Sequence, residues 1–293
     1  MRRFTFVTRG DEPLVSSLAA AASGHLAEII EPREAQKRIQ WGSVYVDKVR
    51  WRDQAPLPAG ITVEVFWPEL PIEEFTLDPG RVVWQDEHVM IADKPPGINA
   101  APSPFSDIDC MTWGVQKWLG TGFPIHAVQR LDRDTQGLMV FAKHKDAEKE
   151  WHRLFRERRI RKVYEALTPP GRVPADKRHL HRWADELEFR GKVQSAATTA
   201  VWAGRGSAGE DRWWVFPHTG RPHQIRKHFA RYLAPLWGDK EYGETESPRD
   251  ELGLACVLYR WNHVWSGQRM TVVRPPGDGA ACPLLPKHEP GPR

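Results

Sequence analysis

The chain has 293 residues, a formal net charge of +4 and a hydrophobic content of 40%. That size accommodates one large domain, or a small one joined to a larger one, with enough apolar residues for a core. The mild basic excess permits a polyanionic partner without establishing one, and no apolar run reaches membrane-spanning length. Cys110, Cys256 and Cys282 are odd in number and far apart, so no disulfide framework or paired-cysteine metal site is readable. A reducing, cytoplasmic setting is expected. The basic start MRRFTFVTRGDEPL lacks the apolar centre of a signal peptide.

Residues 14–30 are rich in Ala and Leu and predict a helix, broken at Gly24. Pro32 suits the first turn of a second helix that ends near Gly42. Residues 43–47 and 61–66 alternate as strands do, with a turn at Ala59-Gly60. Residues 68–74, bearing Pro and Glu, read as a linker. Residues 82–84 and 89–92 predict two strands around the polar turn 85–88, and Lys94-Pro95-Pro96-Gly97 is a strong breaker. Residues 111–119 place Met111, Val115, Trp118 and Leu119 at helical spacing, as core residues.

Residues 126–144, HAVQRLDRDTQGLMVFAKH, join a dense polar knot to an apolar run. The run 138–142 predicts a buried strand, and Gly137 turns the chain into it. By itself the knot is compatible with a charged turn held by local ion pairs. Residues 145–159 predict a helix with the stripe Trp151, Leu154 and Phe155. From Lys143 to Lys162 nine basic residues face four acidic ones. Residues 161–167 predict a strand, 171–195 give no clear pattern, and 198–202 and 212–216 predict a strand pair around the Gly-rich loop GRGSAG. That loop has no Lys-Ser/Thr ending, so it is not read as a phosphate cradle. His179 and His181 have no third ligand in sight for a metal. Pro222 opens a helix with Ile225, Phe229 and Leu233 toward the core and His223, Arg226 and Lys227 on another face. Residues 253–265 predict one more strand, and the Pro- and Gly-rich tail reads as disordered.

Three polar clusters carry possible chemistry: Arg130, Asp132 and Asp134 in the loop; Lys162 and Tyr164 on the strand; Arg221, His223 and Arg226 at the helix start. Cations hold phosphates, an aromatic ring stacks on an extruded base, and a carboxylate kept ionised by a guanidinium is a competent nucleophile.

The order and wording of these segments resemble the RluA-type pseudouridine synthases. RLDRDTQG (130–137) is similar to that family's Arg-Leu-Asp-x-x-Thr-Ser-Gly loop, RKVYEA (161–166) to its Lys-x-Tyr-x-Ala strand, and TGRPHQIRKH (219–228) to its Thr-Gly-Arg-Thr-His-Gln-Ile-Arg-x-His segment. PLWGDKEYG (235–243) and VVWQDEHVMIADKPPGI (82–98) match two further motifs, so the resemblance spans about residues 80–265 in order. It implies an α+β fold with a mixed, mainly antiparallel sheet, and a catalytic domain over residues 76–280. It also implies isomerisation of uridine in ribosomal or transfer RNA, with no cofactor and no metal. By resemblance, Asp132 is the nucleophile, Tyr164 packs on the base, and Arg226 pairs with Asp132 to keep it ionised. Arg130, Arg133, Lys162, Arg221, His223 and Lys227 are the expected RNA contacts.

Residues 1–75 resemble the small alpha-L RNA-binding module, the alternative being a generic cap on the larger domain, and 281–293 are the expected disordered tail. The partner is RNA, with no membrane and no nucleotide cofactor, and the chain is expected to act as a monomer. Gln129, Gln136 and Pro222 depart from the family's usual His, Ser and Thr or Ser, which points to a shifted substrate preference. Two other readings stay open at this stage: a non-catalytic RNA-binding protein on the same fold, and a hydrolase using Asp132 with Asp134 as a carboxylate pair.

Overall fold

The computed structural model describes residues 2–10, 12–69, 71–120, 122–243 and 249–275. The expected tail, 281–293, lies outside the described residues. Two compact units emerge, residues 1–77 with 99–122, and residues 78–98 with 123–293. The sequence-based boundary near residue 75 left 99–122 with the second unit, whereas those residues pack with the first.

In the first unit, β1 (Arg2–Val7) is followed by α1 (Leu14–Leu26), α2 (Pro32–Gln40), β2 (Val44–Val46), β3 (Val49–Arg50) and β4 (Thr62–Trp67). The sheet order is β1-β4-β2-β3. Gly24 does not break α1; the helix runs through it and stops at Ala27, which takes a left-handed φ of 58°. A single glycine weakens a helix by about 1 kcal/mol, and burial of Leu14, Leu18 and Ala22 outweighs that here.

The second unit holds β5 (Val82–Gln85) and β6 (Val89–Lys94). The chain then returns to the first unit for α3 (Met111–Leu119), and comes back for β7 (His126–Ala127), β8 (Gln136–Ala142), α4 (Lys145–Arg156) and β9 (Arg161–Thr168). Met111 and Val115 of α3 are buried as expected, but Trp118 is 39% exposed and is not a core residue. Next come β10 (Leu180–Phe189), β11 (Lys192–Arg205), β12 (Asp211–Pro217), α5 (Gln224–Tyr232), β13 (Leu254–Asn262) and β14 (Arg269–Val273).

These strands form one sheet in the order β10-β11-β12-β9-β13-β8-β6-β5, with β14 on β13 and β7 on β8. Every pairing is antiparallel except β13 with β8. Leu138 to Ala142 are all buried, as a central strand covered on both faces requires.

One register row organises the functional side of this sheet. Cys256 of β13 stands opposite Gly137 of β8 on one flank and Tyr164 of β9 on the other. Gly137 has φ +109°, and a Cβ there would lie 2.2 Å from the carbonyl oxygen of Cys256. Only glycine meets both conditions, so the loop that carries Asp132 is drawn tightly against β13.

Candidate active site

Asp132 lies in the loop between β7 and β8. The loop is closed locally by the Thr135 amide, which donates to the Asp132 carbonyl at 3.1 Å. It is also tied by Lys94, at the end of β6. The Lys94 side chain is fully buried, and Nζ donates to the carbonyls of Pro95 at 2.8 Å, Ile98 at 2.7 Å and Arg133 at 2.6 Å. Burial pulls its pKa down to about 7, opposed by the fields of Asp134 and Asp132. An ammonium has three N–H donors and a neutral amine two, so three carbonyl acceptors match the charged form. The sequence assigns Lys94 no role of its own; its signals were the breaker Lys94-Pro95-Pro96-Gly97 and its place in the 82–98 motif.

Tyr164 faces this loop from β9. Its ring is buried, and burial, the Cys256 thiol and the Asp132 charge raise its pKa well above the usual phenol value. It stays a neutral phenol and hydrogen-bond donor at neutral pH. The Cys256 thiol lies against the hydroxyls of both Tyr164 and Tyr259, and burial pushes its own pKa up to about 11. Gln129 Nε2 donates to the Tyr259 hydroxyl, which in turn donates to the Leu138 carbonyl at 3.4 Å. The residue in the family's His position thus caps a buried chain that runs from Gln129 through Tyr259 and Cys256 to Tyr164.

The third side is the start of α5. Gln224 anchors it: its Nε2 donates to the Ala197 carbonyl and to Thr198 Oγ1, both at 2.9 Å, while its Oε1 accepts from the Arg221 amide at 3.0 Å. His223 caps the helix at a left-handed φ of 53°, a region in which His is tolerated better than most side chains. This conformation puts Nε2 3.9 Å from Asp132 Oδ1, with Nδ1 2.9 Å from the Tyr242 hydroxyl and 3.2 Å from Glu241 Oε2. His223, expected among the RNA contacts, therefore borders the candidate nucleophile.

The expected ion pair between Arg226 and Asp132 does not form. Arg226 is buried and makes a two-pronged pair with Asp239, Nε to Oδ2 at 2.8 Å and Nη2 to Oδ1 at 2.7 Å. It also donates to Glu241 Oε2 at 3.1 Å. Burial disfavours the Arg226 charge, but the bonds to Asp239 outweigh it and raise the pKa. Burial likewise disfavours the Asp239 charge, yet Arg226 and the amides of Tyr242 and Glu241 hold that carboxyl below its usual range. The reason for the switch is local: Asp239 sits in the turn after α5, and a planar fork selects the carboxylate it meets edge-on. Arg226 acts on Asp132 only through its field.

Asp132 is consequently less strongly ionised than the sequence implied. Its side chain is 31% exposed. Burial raises its pKa, the charges of His223 and Arg226 pull it back, and Glu241 pushes it up again. The arrangement offers a desolvated carboxylate, a neutral phenol donor and an imidazole at one place. A desolvated carboxylate is poorly hydrated and correspondingly reactive.

The expected RNA contacts divide. Arg130 is exposed and has no protein partner among the described residues. Arg133 donates through Nε to the Gly97 carbonyl at 2.9 Å. Lys162 is half-buried, its Nζ 5.7 Å from the Phe155 ring, with burial lowering its pKa. Arg221 Nε donates to the Ser195 carbonyl at 3.0 Å, and Lys227 donates to the Glu188 carbonyl. Lys227 and Arg221 thereby hold the β10–β11 hairpin against α5. Asp134 is exposed, and its charge acts on Lys94.

Comparison with known proteins bears on this geometry. A family model described as RNA pseudouridylate synthase matches residues 88–231. An uncharacterized RNA pseudouridine synthase of Aquifex aeolicus is 30% identical over 247 residues, 75% of each chain. The dual-specificity RNA pseudouridine synthase RluA of Escherichia coli K12 is 30% identical over 210 residues, covering 66% of this chain and 92% of that one. Among solved structures, human RNA pseudouridylate synthase domain containing 1 superposes with a TM-score of 0.55 at 20% identity. It covers 68% of this chain and 86% of its own, a likeness of fold.

Proposed function

The chain belongs to the RluA-type RNA pseudouridine synthases, and we propose that it isomerises specific uridines of ribosomal or transfer RNA with Asp132 as the nucleophile. The observation that carries this reading is convergence. Segments far apart in the chain, at residues 94, 164, 223 and 226, all act on the single carboxylate of Asp132. In the reaction the bond from uracil N1 to the ribose breaks, the ring turns, and C5 takes its place on the same ribose carbon. C5 gives up one proton and N1 receives one, so the product is an isomer and no redox partner is consumed.

Asp132, ionised, attacks the sugar or the ring, or removes a sugar proton. Tyr164 packs on the base and, as a neutral phenol, donates rather than removes a proton. His223 sits where it can hold a proton beside Asp132 Oδ1. Arg226, expected to pair with Asp132, instead sets the position of Asp239 and the turn around it and tempers the Asp132 charge from a distance. Arg130 contacts phosphate or fills the gap left by the flipped base. In the same reading residues 1–75 assist RNA binding, and the protein works as a cytoplasmic monomer.

The test is a pseudouridine map of total RNA from cells with the protein, without it, and with Asp132→Asn. The expected result is one or a few positions present only with the unaltered protein. A map that is the same with Asp132→Asn contradicts the role given to Asp132.

A further inference from the structure

Outside the site just described, the β10–β11 hairpin carries a recess of about 200 Å³. Its floor is apolar, made by Leu187, Phe189 and Pro222, and its rim is cationic, made by Arg190, Lys192 and Arg221. The hairpin's alternation creates this: Leu187 and Phe189 point to one face, while Glu186 and Glu188 point to the other. In the register, Phe189 stands opposite Lys192 and Leu187 opposite Gln194, so apolar and basic side chains share the recess face. None of the three rim cations makes an ion pair among the described residues; the Arg190 guanidinium lies over the Phe189 ring, 5.3 Å from its centroid, and must swing aside for a base to stack there. Arg221 uses Nε on the Ser195 carbonyl, and its other guanidinium nitrogens make no hydrogen bond among the described residues.

The recess is also coupled to the chemistry. The Phe189 ring lies 5.7 Å, edge to face, from the His223 ring, and His223 Nε2 is 3.9 Å from Asp132 Oδ1. One side chain separates the floor of the recess from the candidate nucleophile. Its volume is below the range of about 300 Å³ and upward that suits a whole drug-sized ligand, which leaves room for one planar ring system. An apolar, aromatic floor under cations that have no carboxylate partner is the chemistry that takes a nucleobase and its phosphate.

The geometry points to a second nucleotide subsite: the recess holds the base of an unpaired nucleotide near the target uridine in the same RNA strand. The base lies against Phe189, Leu187 and Pro222, and its phosphate meets Lys192, Arg190 and Arg221. This rests on the RNA-isomerase reading above and adds the strand's second point of recognition. Pro222, where the family pattern has Thr or Ser, removes a hydroxyl from the floor and makes the recess apolar, so this subsite is where the chain's own substrate preference is set.

The experiment begins with total RNA from cells lacking the protein, treated with the unaltered enzyme and mapped for pseudouridine. A short oligoribonucleotide copied from a mapped position is then assayed with Phe189→Ala, Lys192→Gln and Gln194→Trp, the last filling the recess from an exposed strand position. Each variant is expected to raise KM about ten-fold and to leave kcat at saturating RNA within about two-fold. Replacing each flanking nucleotide in turn by an abasic ribose is expected to reveal one position that raises KM for the unaltered enzyme but not for Phe189→Ala. Urea midpoints near that of the parent separate lost recognition from lost folding. Unchanged KM in Lys192→Gln and Gln194→Trp, or abasic effects identical in parent and Phe189→Ala, overturn the subsite alone. Absence of any isomerisation by the unaltered enzyme overturns the isomerase reading and the subsite with it.

Discussion

Asp132 and Arg226 show how two residues read as partners divide their work once the chain packs. Burial raises the Asp132 pKa, so its proton is held more tightly in the folded chain than in the unfolded one. The stability this lends is fully present below the unfolded carboxylate pKa of about 3.9 and is lost as pH rises through the folded value. Asp132→Asn, which never ionises, is therefore expected to abolish turnover and to gain stability over the parent as pH rises from about 4 to about 8. Urea midpoints of both proteins across that range check it; parallel curves would contradict the burial of this carboxylate. Arg226 carries a different load. Its removal strands Asp239, whose side chain has no exposure, and breaking a buried pair from one side costs about 3–5 kcal/mol. Arg226→Ala should lose that much in denaturant unfolding as well as losing activity. A variant that is inactive but fully stable would mean that the Asp239 pair is dispensable.

The elements that bring these residues together are held by two close contacts. The parallel pairing of β8 with β13 needs Gly137, because any side chain there collides with the Cys256 backbone. Gly137→Ala combines that collision with a strained positive φ, and is expected to destabilise by about 3 kcal/mol or more; thermal and urea unfolding measure it. The tie from β6 is Lys94. Lys94→Met leaves the carbonyls of Pro95, Ile98 and Arg133 without their donor, each loss costing about 1–3 kcal/mol if the group stays dry. The expected outcome is a drop in stability of about 3 kcal/mol and a larger fall in kcat than in RNA affinity, since the slackened loop is the one that aims Asp132. A variant with normal kcat would show that the loop holds itself. The β10–β11 hairpin illustrates why an element goes unread: its two-residue turn is Arg190-Gly191, both at positive φ, and Asn or Asp at the first position is the usual signal for that turn. Its strand β10 has Trp183 and Leu187 buried four residues apart, a spacing that imitates a helix.

For the molecule as a whole, the relevant property is a modest positive charge left unneutralised on the unit that carries the site. Net charge is only +4, yet Arg130, Arg190, Lys192 and Arg221 of that unit have no carboxylate partner among the described residues. RNA binding should weaken with salt. With about three phosphates neutralised on a single strand, affinity falls roughly 20-fold between about 50 and about 200 mM salt. Titration of a mapped RNA at several salt concentrations tests this, and a flat response would move the RNA to another surface.

What could be read from the chain before folding was its chemistry and its most strongly patterned elements. Five motifs in order identified an RluA-type synthase, and the apolar run 138–142, the strand 161–167 and the helix after Pro222 were legible because periodicity and turn residues are local properties. The choice of partners belonged to the packing. Arg226 was within reach of several acids by composition, and the turn after α5 delivered Asp239 rather than Asp132. Lys94, His223, Cys256 and Tyr259 acquired their positions from strand register and from a helix cap, which join residues far apart in the chain. Burial, and with it the raised Asp132 pKa and the lowered Lys94 pKa, is a property of the packed chain, since desolvation is done by neighbours that sequence proximity does not name.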